Sequence, residues 1–450
     1  MDFKNKATSI NLFSLKTPQM RAFHLSWFAF FICFFGWFGI APLMAVVREE
    51  LSLTQAEVGN TIIASVAITV IARMLIGRIC DQFGPRLTYT WLLVLGAIPV
   101  MGIGLASDYN SFLLFRLAIG VIGASFVITQ YHTSIMFAPN VVGTANATSA
   151  GWGNLGGGVT QMVMPMILGA FLALGVSEAL SWRLAMMVPG VAMLIIGVLY
   201  YRYTQDAPDG NFAELRRRKE MPAVEKKKGT FLEACKDRRV WVLFLVYAAC
   251  FGIELTINNI AALYFVDYFS LNVATAGLVA GLFGLMNIFA RSLGGILSDK
   301  AGLRFGLRGR VFFLTLALMG EGVALIVFSR VGVLPLAIMT LIIFSMFVQM
   351  SEGATYSVVP FINKRALGSV AGIVGAGGNA GAVLAGFLFK NEALAWPQAL
   401  LILGIVVSVV SVTALLVRFS PAEEKAAREE MERRLAGQAS PLTVNVAVEN

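Results

Sequence analysis

The sequence predicts an all-α polytopic membrane protein in which twelve transmembrane helices form two six-helix pseudo-repeats. Three observations predict this fold class: the composition, the number of long apolar stretches, and an internal repeat. Of 450 residues, 57% are hydrophobic and 14% are charged, and the mean hydropathy is +0.75. Soluble proteins carry roughly 25% charge, so the composition excludes a disordered chain, a nucleic-acid-binding protein and an ordinary soluble enzyme.

Twelve apolar stretches are long enough to cross a bilayer, which takes about 20 residues. They cover 25–47, 58–80, 87–107, 111–138, 144–173, 183–203, 239–266, 273–297, 309–329, 332–356, 366–389 and 397–418. The longest loop separates six of them from six. We therefore divide the chain into an N-terminal cytoplasmic tail (1–24), an N-terminal half (25–203), a basic cytoplasmic linker (204–238), a C-terminal half (239–418) and a charged tail (419–450). The composition of 436–450 is typical of a disordered segment.

Lys and Arg are distributed asymmetrically over the loops. With the N-terminus inside, 26 of the 35 basic residues lie in cytoplasmic tails and loops, and four lie in outside loops. This bias predicts that both termini are cytoplasmic, and it accounts for most of the net charge of +9. The basic charge also favours contact with anionic lipid. The linker is expected to be a solvated connection, with a regulatory or partner-binding role as the alternative.

A ten-residue motif, Gly-x-x-x-Asp-x-x-Gly-x-Arg, occurs twice at an offset of 218 residues. Its fixed positions are Gly77, Asp81, Gly84 and Arg86 after the second helix, and Gly295, Asp299, Gly302 and Arg304 after the eighth. The motif resembles the cytoplasmic loop signature of the major facilitator superfamily, and its repetition indicates two halves in parallel orientation, with substrate near the midplane between them. We interpret the acidic and basic positions of both copies as gating and structural residues. The resemblance implies alternating access by rocking of the two halves.

Two arginines lie deep in apolar helices at the same repeat offset, Arg73 in the second helix and Arg291 in the eighth. A buried Arg costs at least about 2.5–3.5 kcal/mol on insertion scales, and it stays cationic at ordinary pH. No acidic residue lies within two turns of either one on its own helix. Two unpaired cations at matched depths indicate a permeating anion held between the halves. The alternative is that helix carbonyls or a distant Glu satisfy each Arg.

Other polar residues in the apolar stretches have more than one interpretation. Glu254 lies in the middle of the seventh helix and is a candidate proton carrier, a partner for an Arg, or a structural polar group. Glu352 is expected towards the cytoplasmic end of the tenth helix, where it would latch the gate, and Glu321 is assigned no role. Arg116 begins the fourth helix and is expected to snorkel or to brace the fold. Of the two histidines, His132 is expected to be satisfied by local hydrogen bonds.

Two glycine-rich segments carry amide side chains. Five glycines and Asn154 occur in residues 151–158, and Asn379 lies among the glycines of 375–381, at an offset of 225 residues from Asn154. Close packing of helices explains the glycines. It does not explain the amides, which need partners in an apolar core and can donate hydrogen bonds to an oxygen-rich anion.

These two segments resemble the nitrate signatures of the nitrate/nitrite porter family, the branch of the major facilitator superfamily that covers bacterial, fungal and plant nitrate transporters. The resemblance extends over residues 10–420. Three further stretches carry it: the aromatic-rich run from Phe13 to Trp37, residues 248–260 and residues 289–295.

The resemblance implies a set of substrate-binding residues. In the family, two buried arginines clamp nitrate and aromatic rings flank its plane. The matching positions are Arg73 and Arg291 for the clamp, Phe126, Tyr247 and Phe251 for the rings, and Asn154 and Asn379 for the signature amides, each preceded by a glycine, Gly153 or Gly378, whose backbone would face the ligand. From the residues alone, the aromatic side chains would be interpreted as core packing.

We therefore expect a monomer in a bacterial cytoplasmic (inner) membrane that carries out secondary active transport of nitrate, with nitrite as a further candidate. The planar fork of guanidinium suits planar nitrate, and aromatic walls would exclude tetrahedral anions. Proton-coupled uptake through Glu254 is favoured, because the seventh helix resembles assimilatory transporters. Nitrate/nitrite exchange without protons, another small monovalent anion as substrate, and a nitrate sensor are the alternatives. The four cysteines have no metal-ligand spacing, and we predict no metal, cofactor, nucleic-acid partner or enzymatic activity.

Overall fold

A computed structural model describes residues 3, 5–138, 141–221, 230–363, 366–427 and 429. Within them, eleven stretches are long and apolar enough to cross a membrane, and one of these contains two helices, which makes twelve spans. We number them in chain order. They are Pro18–Glu50, Gln55–Phe83, Pro85–Leu105, Tyr109–Met136, Val142–Ala173 and Glu178–Tyr203 (spans 1–6), Arg238–Phe269 (span 7), the two parts of Val273–Arg330 before and after Gly306 (spans 8 and 9), Leu334–Phe361 (span 10), Leu367–Lys390 (span 11) and Trp396–Leu416 (span 12).

Span 1 begins at Pro18 rather than at residue 25, where the apolar stretch starts. The side chain of Thr17 accepts a hydrogen bond from the backbone N–H of Met20, and Pro18 occupies the first helical turn. Both features are typical helix starts, so the local capping signal extends the helix beyond the hydrophobic pattern.

Helix packing within the two halves follows the same plan. In the N-terminal half, Gly156 of span 5 packs against the backbone carbonyl of Phe31 in span 1. In the C-terminal half, Gly377 of span 11 packs against the carbonyl of Phe244 in span 7. A β-carbon at either glycine would overlap the neighbouring backbone. Spans 1 and 7 are therefore held close to the glycine-rich spans, and they are the most deeply buried spans of the molecule.

The two halves meet along two pairs of spans. Gly158 of span 5 lies against Gly284 of span 8, where an added β-carbon would be 2.6 Å from Cα of Gly284. Gly59 of span 2 lies equally close to Lys390 at the end of span 11. Since small residues allow the backbones of neighbouring helices to approach closely, these contacts fix how the halves fit together.

Spans 1 and 12 begin and end, respectively, on one face of the bundle, which we call the terminal face. On the opposite face, Nη1 and Nη2 of Arg48 at the end of span 1 each donate to one carboxylate oxygen of Asp267 at the end of span 7. The two distances are 2.6 and 2.7 Å. The amide nitrogen of Gln55 donates to three backbone carbonyls of residues 389–394, at 3.0–3.2 Å. The opposite face is thus closed by polar contacts between the halves.

The described part of the linker packs on the terminal face. It contains the short helices Phe212–Arg217 and Thr230–Lys236. The chain before span 1 also lies on this face, where Ala7 pairs with Phe137 and the ring of Phe3 stacks on that of Phe212. The three consecutive lysines of the linker, residues 226–228, lie outside the described residues, as does the segment 436–450.

Candidate functional site

The guanidinium of Arg73 contacts two aromatic rings, one from each half. Its central carbon is 5.5 Å from the ring centroid of Phe126 on span 4 and 5.7 Å from that of Phe251 on span 7. Its Nε donates to the carbonyl of Gly123 at 3.4 Å, while the buried Nη2 has no hydrogen-bond partner among the described residues. Cation–π contacts offset part of the cost of burying this charge, but they leave donors free for an anion.

Arg291 is in a different situation, which corrects the expectation of two unpaired cations. Its Nη1 forms an ion pair with the carboxylate of Glu352 on span 10, and its Nη2 donates to the hydroxyl of Tyr247 at 3.1 Å. Glu352 lies nine residues before the end of span 10 at Phe361, in the part of the span towards the terminal face, and its role as a latch of the gate stays a prediction. Gly353 next to it packs against the backbone carbonyl of Arg291, so the close approach of spans 8 and 10 brings the two charges together.

The aromatic side chains of span 7 connect the two arginines. The rings of Tyr247 and Phe251 are stacked, with centroids 5.2 Å apart and planes at 16°, as their spacing of four residues predicts. Tyr356 of span 10 meets the ring of Tyr247 edge-on at 5.2 Å. Tyr356 lies one helical turn after Glu352 but was not among the site residues predicted from the sequence. Arg73, Phe251, Tyr247 and Arg291 thus form a continuous series of contacts from one half to the other.

The signature glycines support these rings. A β-carbon at Gly153 would overlap the ring of Phe30, and one at Gly378 would overlap the ring of Phe251. Phe30 in turn lies 5.7 Å from Phe126, centroid to centroid. Each glycine therefore makes room for an aromatic side chain, and the expected contact of its backbone with the ligand stays a prediction. In both halves, that side chain is next to, or part of, the pair of rings around Arg73.

The signature amides are buried without hydrogen bonds inside the described part of the protein. Asn154 is 1% exposed and Asn379 is fully buried, and neither the amide nitrogen nor the oxygen of either side chain has a partner there. Because an unsatisfied buried amide is costly, two of them at repeat-related positions indicate polar contacts that a ligand or water supplies.

Three acidic side chains are fully buried in the C-terminal half: Glu254, Glu321 and Glu352. Glu254 accepts a hydrogen bond of 2.8 Å from the amide of Asn287. Glu321 on span 9 has no hydrogen-bond partner among the described residues. Among the described residues, Arg291 is the cation that forms an ion pair with one of these three acids, Glu352. Three buried carboxyl groups and one guanidinium cannot all be charged without a large desolvation cost.

Asp81 and Arg86, from the first copy of the loop motif, lie at the terminal face. The carboxylate of Asp81 accepts from the hydroxyl of Tyr131 at 2.9 Å. The backbone N–H of Arg86 donates to Asp206 at 2.9 Å, and its side chain lies over the ring of Tyr201. Asp206 also accepts from the N–H of Phe212. Burial raises the pKa of the Asp206 carboxyl, and the two backbone donors oppose this shift.

The second copy of the motif differs from the first in where the helix ends. Gly84 has a positive φ of 86°, but its repeat partner Gly302 is helical and packs against Arg310. The break falls at Gly306, with φ of 70°, because span 8 continues for one further turn. Glu424 then accepts from the backbone N–H groups of Leu307 and Arg308, and so caps span 9 in the way that Asp206 caps span 3.

Asp299 and Arg304 of this second copy also lie outside the series of contacts around Arg73 and Arg291. Asp299 forms an ion pair with Arg310. Arg304 is exposed, and its guanidinium lies over the ring of Phe305. The structure therefore assigns these motif residues to the terminal face, together with Asp81 and Arg86.

Arg116 and His132 hold the helices together away from this centre. Arg116 is 1% exposed, and it donates to the side chain of Asn259 on span 7 at 2.8 Å and to the carbonyl of Trp37 at 3.3 Å. It therefore braces the fold rather than snorkelling. His132 binds the hydroxyl of Tyr200 and a backbone carbonyl, which agrees with the expectation of local hydrogen bonds.

Solved structures with a similar fold are transporters. A bacterial homologue of the human lysosomal transporter Spinster, in an inward-facing conformation, superimposes with a TM-score of 0.71 at 15% identity, covering 91% of this chain and all of that one. The xylose transporter XylE from E. coli, in an inward-open conformation, gives 0.69 at 12% identity and covers 92% and 99%. At these identities the likeness establishes the fold alone.

Sequence relatives are more specific. The profile of the Major Facilitator Superfamily matches residues 26–361 and 256–446. High affinity nitrate transporter 2.5 of Arabidopsis thaliana is 41% identical, over 93% of this chain and 84% of its own length. Nitrate transporter 2.2 of Chlamydomonas reinhardtii is 36% identical, over 88% and 78%, and the nitrate/nitrite transporter NrtP of Picosynechococcus sp. is 31% identical, over 81% and 84%. The chain is a multi-pass membrane transporter that belongs to the nitrate/nitrite porter family of the major facilitator superfamily.

Proposed function

We propose that this protein transports nitrate, with nitrite as a further substrate, and binds the anion between Arg73 and Arg291. The observation that carries this proposal is the series of contacts Arg73–Phe251–Tyr247–Arg291, which joins one buried cation from each half through stacked rings. The relatives named as nitrate transporters support the same substrate.

Planar shape is the basis of the proposed selectivity. Guanidinium presents its N–H donors in one plane, which matches the three coplanar acceptor oxygens of nitrate. The rings of Phe126 and Phe251 both contact the guanidinium of Arg73, and we propose that they flank a flat anion bound there. A tetrahedral anion would clash with such walls, so exclusion contributes to specificity. Asn154 and Asn379 have free amide groups among the described residues that suit the nitrate oxygens.

The transport cycle that we propose is alternating access. The contacts of Arg48 with Asp267 and of Gln55 with residues 389–394 would form the closed outer gate. The basic residues of the terminal face favour a cytoplasmic location for that face, which would make the closed opposite face the outer one. We propose a bacterial inner membrane as the location, because the linker 204–238 resembles the shorter central loop of bacterial family members. We propose the monomer, surrounded by lipid, as the unit of transport.

Proton-coupled uptake is the coupling mode that we favour, with Glu254 as a proton carrier. Glu254 is fully buried, accepts a hydrogen bond from the neutral amide of Asn287 and forms no ion pair within the described residues, so its carboxyl group is not committed to a cation. Exchange of nitrate for nitrite without protons is the second candidate, because it requires the two arginines alone.

The experiment is uptake of labelled nitrate into proteoliposomes. One set has an imposed inward pH gradient, and a second set has internal nitrite at equal pH. We expect the pH gradient to drive accumulation and the E254Q variant to lose it while retaining exchange. Accumulation by E254Q equal to that of the wild type would remove Glu254 from the mechanism. A competition panel with nitrite, formate and chloride separates nitrate from other small anions.

A further inference from the structure

The two arginines of the proposed clamp differ in their electrostatic surroundings. Arg73 contacts aromatic rings and a backbone carbonyl, and no ion pair joins it to an acid in the described part of the chain. Arg291 is paired with Glu352, which is fully buried. The two repeat-related arginines therefore differ: Arg73 has no acidic partner among the described residues, and Arg291 is paired with an acid.

We propose that Glu352 competes with nitrate for Arg291, and that Glu352 takes up a proton when nitrate displaces it. The inference rests on the proposed function and names the residue that links anion binding to protonation. It assigns to Glu352 the role of a positioning residue, because it acts on the substrate through Arg291.

The argument starts from the geometry of spans 8 and 10. Gly353 packs against the carbonyl of Arg291, and Gly294 packs against the backbone of Met350. Because the two backbones are in contact on both sides of the ion pair, Glu352 cannot move away from Arg291 by a shift of its helix alone. When Arg291 turns towards nitrate, the carboxyl group stays in its buried position without its cation.

The surroundings of Glu352 offer no replacement cation among the described residues. The titratable groups that face it are Arg291 from span 8, Glu254, Tyr247 and Cys250 from span 7, Glu321 from span 9, and Tyr356 from its own span. Apart from Arg291, all of these are neutral or acidic. An ionised Glu352 would then lie in an apolar core beside a bound anion and a second carboxyl group, which is a costly arrangement. Protonation removes that cost.

Glu254 is connected to the same turn of span 8. It neighbours Glu352 and is held by Asn287, which lies one turn before Arg291 on span 8. A turn of span 8 therefore carries both the donor to Glu254 and the cation of Glu352. Movement of this turn when nitrate binds would change the hydrogen bonding of both acids together.

The first test counts protons in the wild-type protein. Nitrate binding is measured by titration calorimetry in two buffers of different ionisation enthalpy, at several pH values between 6 and 8. We expect uptake of about one proton per nitrate and an affinity that falls about tenfold for each pH unit. Nitrate binding without proton uptake overturns the inference and leaves the proposed function intact. Absence of any nitrate binding overturns both.

The second test compares matched variants of the buried acids. The E352Q variant frees Arg291, so we expect it to bind nitrate without proton uptake and at least tenfold more tightly than the wild type at pH 8. The E321Q variant is the matched control, because Glu321 forms no ion pair with Arg291, and we expect it to keep the wild-type proton count. The E254Q variant should also keep proton uptake on binding, since the Arg291–Glu352 pair remains.

An E352Q variant with the same pH dependence as the wild type overturns the inference. Folding of the variants is checked by gel filtration and thermal unfolding. If E352Q does not yield a monodisperse protein, the proton count of the wild type decides the question, because that measurement uses no substitution.

Discussion

Gly378 lies directly against the ring of Phe251, so closely that a β-carbon at this position would overlap Cδ1 of the ring. Phe251 in turn contacts Arg73 from the other half of the molecule. A backbone position in span 11 therefore determines where an aromatic wall stands beside a buried cation. The same relationship joins Gly153 to Phe30 in the N-terminal half.

Substitution of Gly378 by Ala should displace Phe251 and weaken nitrate binding. Overpacking of this kind costs about 1–3 kcal/mol, and we expect nitrate affinity to fall roughly tenfold, as measured by calorimetry. Gly372 on the same span has nothing within 4 Å of an added β-carbon, so G372A is the matched control and should bind as the wild type does. Equal affinities of G378A and G372A would show that the ring position does not matter for binding.

Substitution of Phe126 by Leu should relax the selectivity for planar anions. The change removes a cation–π contact worth about 0.5–2 kcal/mol and opens one side of the proposed anion site beside Arg73. We expect weaker nitrate binding together with stronger inhibition of nitrate uptake by perchlorate, a tetrahedral monovalent anion. The measurement is the ratio of the perchlorate inhibition constant to the KM for nitrate uptake. A ratio equal to that of the wild type contradicts the role of Phe126 as a wall.

Breaking the ion pair between Arg48 and Asp267 should shift the protein away from the closed opposite face. The two side chains are 34% and 26% exposed, and pairs of this kind contribute up to about 1 kcal/mol. We therefore expect D267N to raise the ratio of molecules with the opposite face open to molecules with it closed by up to about fivefold. Distances between spin labels at positions 79 and 296, on spans 2 and 8 near the terminal face, report the ratio. The charge-swapped pair R48D/D267R should restore the wild-type distribution.

Loss of Glu424 should destabilise the C-terminal half. Its carboxylate caps the start of span 9 at 2.9 and 3.1 Å, and removal of such a cap costs about 0.5–2 kcal/mol. We expect E424A to lower the Tm of the purified protein by a few degrees. Glu392 is exposed and makes no such contact within the described part of the chain, so E392A is the control variant. A Tm of E424A equal to that of E392A would mean that the cap does not contribute.

The ion pair of the neighbouring Glu423 with Arg239 should make the stability of the C-terminal half sensitive to acid. Burial would raise the pKa of Glu423, but the backbone N–H of Ser420 and the guanidinium of Arg239 outweigh it and lower the pKa below the ordinary value. A lowered pKa in the folded state means that the stabilisation is present above the ordinary pKa of Glu and is lost as the pH falls through the folded value. The difference in Tm between wild type and E423Q should therefore shrink in acid, and a constant difference contradicts this assignment.

Much of the fold could be predicted from the sequence, because membrane spans are specified by local hydropathy and the loop motif marks the repeat. Arg73 and Arg291 could be singled out for the same reason, since a charge in an apolar stretch is visible without any structure. The partner of Arg291 could not be predicted in this way. Glu352 lies on another helix, and periodicity along one helix carries no information about contacts between helices.

Two further features of the structure could not be predicted from the sequence. The sequence repeat pairs Gly84 with Gly302, but the chain turns at Gly306, because a motif fixes residue types and not the length of the helix that precedes the turn. Arg116 was expected to snorkel or brace, and only its contact with Asn259 on span 7 decides between the two. For Arg116 the missing information is the packing of one span on another.

Uptake of labelled nitrate into proteoliposomes by the wild type, R73K and R291K tests the central claim most directly. Lysine keeps the positive charge but loses the planar fork of donors. The account predicts saturable nitrate uptake by the wild type and a loss of at least tenfold in apparent affinity in each variant, at equal amounts of reconstituted protein. Wild-type affinity in both lysine variants would contradict the clamp.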